Sequence, residues 1–413
     1  MRILHVTDLI RPIGGTERAV ATLCNVLVAQ GHTVAVAHAD ADSSPLNPSP
    51  EQLDLAVERL YAPGLFPSLP SPARFHALPA ALAAVEAWRP DVVHLHHMHD
   101  PLATKRLSDC FPVFRTHHTV ALICPGGQKL KHGPETICTQ AFGPLCFLSS
   151  VREDCTRTND GRRMRMRYVT RSLAELTAHR AVNAHIAMNI VSSDYMRTEL
   201  LRAGYPAPRI TVIPLGSTMP SANLSLQPRA RGVPRLLFAG RLVRQKGVHI
   251  LLQAVRDVKQ PYELVIAGEG PFRPTLERQV TELQLGDRVS FLGWVDNVSM
   301  LIDLAPDAVV VPSLVPETFG LSGVEALAHG IPVIAFAVGA IPEWLSDKET
   351  GWLVPPPNVA GLTSAIESAV SVTDGERRAF GARGRAFVRT HHAVADYGAA
   401  IIDCYLQYGR RAA

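Results

Sequence analysis

Short, almost uninterrupted apolar runs alternate along this chain with longer stretches whose apolar positions recur at helical spacing. "RILHVTD" opens as a strand, "PIGGTE" turns, "RAVATLCNVLVAQ" carries a helical stripe that stops at Gly31, and "TVAVAHA" is a second strand. That order is a βαβ unit. It recurs with helix "FHALPAALAAVEAW" and strands "DVVHLHH" and "PVFRTHH"; a long helix follows Cys155 through Ala181, and "AVNAHIAMN" and "ITVIPLG" supply two more strand-like runs. Residues 42–72 read as a loop or insertion, and residues 217–234 as a linker, from their Pro, Ser and Asn content. The alternation then restarts: "RLLFAG", "GVHILLQAVRDV", "YELVIAG", "PFRPTLERQVTELQL", "VSFLG", "AVVVPS", "GVEALAHG", "IPVIAF". The pattern predicts an α/β protein of two Rossmann-like domains, 1–216 and 235–395, with parallel sheets facing each other across a cleft. Residues 124–155 form a Cys-rich insertion, and a last helix at 396–413 is expected to pack back on the first domain.

Composition changes this picture little. In 413 residues, 47% hydrophobic against 19% charged residues supply two ordinary cores and exclude disorder as the theme. The net charge of +4 lies wholly in the first half, where 22 Lys and Arg face 18 acids; the remainder holds 19 of each. So mild a charge gives no reason to expect a nucleic-acid partner. Within residues 152–180, however, eight arginines face four acids. Such a stretch is a solvated, salt-bridged helix face or a surface for anionic membrane lipid or a phosphorylated acceptor. No apolar run is long enough to span a bilayer, and the first residues form a strand rather than a signal peptide. The expected location is therefore the cytoplasm or, as a peripheral protein, the inner face of the cell membrane.

The chemistry concentrates where strands end. In "FAGRLVRQKG", Gly240 permits close backbone approach, and Arg241 and Lys246 follow where they can enter the cleft. A guanidinium and an ammonium so placed suit a diphosphate. In "VPSLVPETFGLSGVEALAHGIPVIA" the strand runs out at Ser313, Glu317 sits in the loop, and Thr318 is the expected N-cap of the next helix. Amides near Gly320 and Leu321 can hold an anion at that helix start. Glu317 and Glu325 offer acceptor pairs to ligand hydroxyls, Glu325 reaching a diol such as a ribose.

These residues resemble a family. The E-x7-E element from Glu317 to Glu325, with "GRLVRQKG", "VIAGEGP", "FLGWV" and "GIPVIAFAVGAIPE" in this order, is similar to the second domain of retaining family-4 glycosyltransferases of the GT-B fold. The likeness extends from "GGTE" to "GWLVPP". It implies that Arg241 and Lys246 neutralise a donor diphosphate and that Glu317 contacts the transferred sugar. Gly15, Gly240, Phe319, Gly320 and Leu321 would border donor sugar and phosphate, and Glu325 the ribose. Gly14 and Glu17 would stand on the acceptor side. One histidine of the pair His117 and His118 would approach the reacting sugar, the spacing to "CPGG" favouring His118 as the catalytic one and leaving His117 on the acceptor side. Thr119 replaces an aspartate common in the family, so the choice stays open; a buried core histidine is the structural alternative.

The resemblance implies a nucleotide-diphosphate sugar as donor, a glycan or lipid-linked acceptor, and no required cofactor or catalytic metal. "HLHHMHD", from His94 to Asp100, places histidines at strand spacing but otherwise reads as an ordinary strand end. Cys124, Cys138, Cys146 and Cys155 lack a tight Cys-x2-Cys knuckle, leaving structural zinc, disulfides and free thiols open. The expected activity is hexosyl or other glycosyl transfer in cell-surface polysaccharide, lipopolysaccharide or glycolipid assembly. The rivals are a non-catalytic nucleotide-sugar-binding subunit and a sugar phosphorylase or epimerase of the same architecture.

Overall fold

The computed structural model describes residues 1–8, 14–39, 57–66, 71–132, 136–156, 166–220, 232–295 and 304–409. Nine strands precede residue 220: β1 (Arg2–Val6), β2 (Thr33–His38), β3 (Glu58–Tyr61), β4 (Val92–Leu95), β5 (Val113–His117), β6 (Leu130–Lys131), β7 (Thr136–Ile137), β8 (Met188–Val191) and β9 (Ile210–Val212). Seven form one parallel sheet in the order β3-β2-β1-β4-β5-β8-β9, and β6 and β7 make a separate antiparallel hairpin. The second sheet, β12-β11-β10-β13-β14-β15, is parallel too. It comprises β10 (Arg235–Ala239), β11 (Glu263–Ala267), β12 (Val289–Gly293), β13 (Ala308–Val311), β14 (Val333–Phe336) and β15 (Gly351–Val354). These are the two parallel-sheet α/β domains that the sequence pattern predicts.

Both faces of the first sheet are covered, and the sequence shows why. Ile3, Val34, Val36 and Val92 enter one apolar cluster, whereas Leu4, Val6, Ala35, Ala37, Val93 and Leu95 enter another. Successive side chains point to opposite faces, so strands buried on both sides must be apolar throughout. The last helix, Val394–Tyr408, lies on the first-domain helix Gly15–Ala29. A Cβ on Gly398 would stand 2.9 Å from the Val26 side chain, and Tyr405 packs edge-on to Phe114 at 4.8 Å.

Local predictions differ from the structure in three places. Within 42–72, Glu58–Tyr61 is an edge strand on β2, followed by a buried turn at Pro63–Leu65; its largely exposed side chains gave no apolar signal. The other residues of that stretch up to 56, and 67–70, lie outside the described residues, as do 221–231 of the predicted linker. The helix Met166–Asn183 extends past Ala181, so only the end of "AVNAHIAMN" enters β8. Thr318 does not cap its helix; the cap is Gly320, with φ of 90°.

Candidate active site

The second-domain half is assembled by loops crossing at the carboxyl ends of β10, β11 and β13. The Gly240 N–H donates to Ala267 O at 3.0 Å and the Leu242 N–H to Glu269 O at 2.8 Å, so the loop after β10 is fastened to the loop after β11. The turn Arg244–Lys246 ends at Gly247 with φ of 70°, where a Cβ would lie only 1.8 Å from Pro312 O. Only glycine fits that crossing. It sets Lys246 beside the end of β13, with Nζ 2.7 Å from Glu317 Oε1, and the Ser313 hydroxyl donates to the same oxygen. Burial would raise the Glu317 carboxyl, but the Lys246 charge, the hydrogen bonds from Lys246 and Ser313, and the Arg241 charge together hold it below its usual value. Arg241 is exposed at the same rim.

The entry to helix Leu321–Ala328 is clamped by Trp344, whose Nε1–H donates to Phe319 O at 2.5 Å while its ring covers Gly320 and Gly323. The Phe319 ring is buried against His392, so this residue offers its backbone to the cleft. The Leu321 and Ser322 N–H groups, in the first helical turn, have no acceptor within the helix. Glu325 is buried, and its Oε1 lies 2.5 Å from Nη2 of Arg18 on the opposite domain.

Further contacts join the halves. Thr318 Oγ1 donates to His118 O at 2.7 Å, and Thr318 O accepts from the hydroxyls of Ser192 (3.1 Å) and Ser193 (2.7 Å). Glu343 accepts the Asp194 N–H at 2.9 Å and the Tyr195 N–H at 2.7 Å, filling the start of helix Asp194–Arg202 from across the cleft. Arg18, Ser192, Ser193 and Glu343 did not stand out in the sequence; Arg18 adjoins "GGTE", the one signal pointing to it.

The first-domain half is a wall of histidine. β1 and β4 pair His5 with His94, and the loop beyond β4 adds His96. His5 Nδ1 shares a hydrogen bond with His96 Nε2 at 2.8 Å, and His96 Nδ1 shares one with His118 Nε2 at 2.9 Å. The chain of imidazoles ends at half-buried His118, whose carbonyl meets the other domain. His94 is held between Tyr405 Oη and Thr116 Oγ1. Burial lowers His5 and His118 to about 3, and takes His94 and His96 well below their usual value. Ring nitrogens of His5, His94 and His96 lie within 4.8 Å of one another, close enough for a metal. Both His94 nitrogens are already bonded, however, which makes the group a hydrogen-bond network.

His117, expected on the acceptor side, lies apart from the imidazole chain. It points to the opposite face of β5, buried, with Nε2 2.9 Å from Asn189 Oδ1 and its ring edge-on to Tyr205. Gly14 is the cap of helix Gly15–Ala29, and an added Cβ at Gly15 would meet no atom within 4 Å. Glu17, in the first turn of that helix, is buried; burial raises its carboxyl, and the Asp8–His97 pair, 3.1 Å apart, lies nearby. Of the arginine-rich stretch, residues 157–165 lie outside the described residues; Arg171 pairs with Glu175, and Arg180 lies over the Phe142 ring. Among the described residues, no helix is long and apolar enough to cross a membrane.

Known proteins share this arrangement. The model of the family "Glycosyltransferase Family 4" matches residues 13–217, and that of "Glycosyl transferases group 1" matches residues 227–387, one on each half. This chain is a glycosyltransferase. Glycogen synthase of Mycobacterium tuberculosis is 29% identical to the transferase over 411 residues, covering 93% of this chain and 90% of its own. The amylovoran biosynthesis glycosyltransferase AmsK of Erwinia amylovora is 28% identical over 178 residues, 41% of this chain and 44% of its own. Among solved structures, sucrose-phosphate synthase from Thermosynechococcus elongatus superposes with a TM-score of 0.72 at 24% identity over 98% of each chain. HepE of Anabaena, in complex with UDP and glucose, gives 0.71 at 19% identity over 98% of this chain and 100% of its own. The transferase therefore has the GT-B fold.

Proposed function

We propose that this glycosyltransferase moves a sugar, with retention of anomeric configuration and without a catalytic metal, from a nucleotide-diphosphate sugar to a hydroxyl of a glycan or lipid-linked acceptor. The observation that carries the reading is the Lys246–Glu317 pair at 2.7 Å beside Arg241 and the amides of the Leu321 helix start. Negative charge grows on the departing diphosphate, and preformed cations and N–H dipoles stabilise it most in that state. Arg241 and Lys246 supply the charge that a divalent cation supplies in other transferases. Glu317, kept ionised by Lys246, accepts hydrogen bonds from the sugar, and Glu325 from the ribose. His118, neutral at the end of the imidazole chain, lines the acceptor side. No carboxylate among these residues is free of a role in binding, which favours attack on the face that the diphosphate leaves. The names of relatives such as the amylovoran enzyme support cell-surface polysaccharide assembly as the setting.

The test has two steps. A panel of UDP, GDP, ADP and their sugars is screened for a rise in melting temperature, which a ligand specific for the folded state produces by mass action. The donor so identified is then incubated with acceptors, and the new anomeric linkage is read by proton NMR with and without EDTA. A product of inverted configuration, or one whose formation EDTA abolishes and magnesium or manganese, but not zinc, restores, would overturn the mechanism. A ligand-induced shift with hydrolysis and transfer both absent would favour a binding subunit.

A further inference from the structure

The four clustered cysteines take no part in the site above, yet the fold gathers them. Cys124 follows the turn Val120–Leu122, Cys138 follows the hairpin of β6 and β7, Cys146 is the second residue of helix Leu145–Arg152, and Cys155 lies just beyond that helix. All four line one small pocket, and none is in a disulfide. The backbone enforces the meeting. Gly127 N–H donates to Cys124 O at 2.8 Å, closing a tight "CPGG" turn. A Cβ on Gly126 would stand 2.2 Å from Cys155 O, so the first cysteine's turn rests directly on the backbone of the last. Cys138 N–H donates to Lys129 O at 2.7 Å, which draws the hairpin against the same pocket.

We propose that Cys124, Cys138, Cys146 and Cys155 together bind one zinc ion through their thiolates, as a structural site that braces the segment behind His118. Four thiols around one pocket supply the donor set of the four-coordinate sulfur sites of structural zinc, the side chains drawing inward on loading since no three of their sulfurs lie within 4.8 Å of one another, and thiolates select this metal over magnesium or calcium. Lys129, 4% exposed, also lines the pocket; its Nζ lies 2.7 Å from Glu199, which pairs its charge, and donates to Gln140 O at 2.8 Å. Loading the site exchanges four S–H protons, released to solvent, for one divalent cation, with no change of oxidation state.

The site connects to the domain contact through packing. Val120, Ile123 and Cys124 share an apolar cluster with Met196 and Leu200 of helix Asp194–Arg202, the helix whose start Glu343 fills. Zinc would thus hold the insertion end of a short path whose cleft end Glu343 holds.

The experiment is metal analysis of the full chain, purified under reducing conditions with any tag removed, followed by exchange into cobalt. About one zinc per chain is expected, with sulfur-to-cobalt charge-transfer absorption after exchange. Cys138→Ser and Cys155→Ser should each lower bound zinc by roughly fivefold or more, whereas Cys110→Ser, exposed and outside the pocket, should retain it. Should the serine variants not fold, the metal content and cobalt spectrum of the unaltered chain decide alone. Bound metal without a sulfur band would point to His5, His94 and His96 and overturn the proposal. So would iron–sulfur absorption, two disulfides found by mass, or a chain from zinc-supplemented growth that neither contains zinc nor takes up cobalt.

Discussion

The two halves of the cleft are built on the same kind of parallel sheet, yet they treat titratable groups in opposite ways. At the ends of β10 and β13, a half-buried carboxylate is held in its charged form by Lys246, Ser313 and nearby Arg241. At the ends of β1, β4 and β5, three buried imidazoles and the half-buried His118 are held in their neutral form and bonded to one another or to hydroxyls. A buried ion needs a partner, whereas a buried neutral ring needs only a hydrogen bond. The difference teaches where the ligand's own charge belongs. A donor diphosphate adds anions to a half already rich in cations, while a sugar hydroxyl meets a half that carries dipoles.

The hardest blow to that contrast is removal of the donor-side cation. Lys246→Ala should lower kcat by about 10² to 10³, the size typical of losing one preorganised group that stabilises developing charge. The same change leaves Glu317 without its 2.7 Å partner, so its carboxyl should rise and some stability be lost. Steady-state kinetics beside a circular dichroism melt separates the two effects. Near-normal turnover in a folded variant would take Lys246 out of the site.

Acid should break the halves in sequence. His5, His117, His118 and His179 sit near 3 because they are buried, and His94 and His96 lie well below their usual value of 6.5 for the same first reason. Between those limits the unfolded chain binds more protons than the folded one, so stability falls as pH drops below about 6.5. Each such group contributes up to about 1.4 kcal/mol per pH unit, and neighbours within the network titrate together. Glu317 is shifted in the same direction but acts in a more acid window: its contribution is intact above its usual value of 4.5 and is lost as pH falls through the lower folded value. Melting temperature measured from pH 8 to pH 4 should therefore already decline near pH 6, and less steeply in His5→Asn. A flat profile down to pH 5 would show that the imidazoles are not held neutral.

A smaller effect with opposite signs tests the pair that spans the cleft. Glu325→Ala should weaken nucleotide binding by about tenfold, the loss of hydrogen bonds from hydroxyls to a charged acceptor. Arg18→Ala should leave it unchanged or tighten it a few-fold, because Arg18 and a ribose draw on the same carboxylate. Calorimetric titration of both variants with the nucleotide found above distinguishes them. Equal weakening in both would make Arg18 a ligand contact rather than a competitor.

What the sequence disclosed follows from how local each feature is. Strands buried on both faces write continuous apolar runs, so the two sheets were legible; β3, an exposed edge strand of sequence "ERLY", wrote none. Arg241, Lys246, Glu317 and Glu325 could be singled out because each follows a strand or sits in a helix with no other polar face. The choice between His117 and His118 was legible in principle. Phe114, Thr116 and His118 share one face of β5 and its extension, while Arg115 and His117 share the other, where Arg115 binds Asn183 and His117 binds Asn189. The roles of Thr318, Arg18 and Glu343 were not, because each depends on how one domain docks on the other. No periodicity encodes that relation.

Glu343 offers the mildest test of the docking. Its two oxygens accept the Asp194 and Tyr195 N–H groups, which would otherwise be unsatisfied donors at a helix start, and its charge faces the positive end of that helix. Glu343→Gln retains one acceptor oxygen and the shape but removes the charge and one bond. The expected cost is about 0.5–1 kcal/mol, or roughly 1 °C in melting temperature for a chain of this length. Glu343→Ala should cost somewhat more, since both N–H groups are then left to water. Because the contact joins the domains, the loss should shrink when a saturating donor holds the cleft closed by other contacts. An equal loss with and without donor would assign Glu343 to the internal stability of the second domain and leave Thr318 and Arg18 to carry the closure.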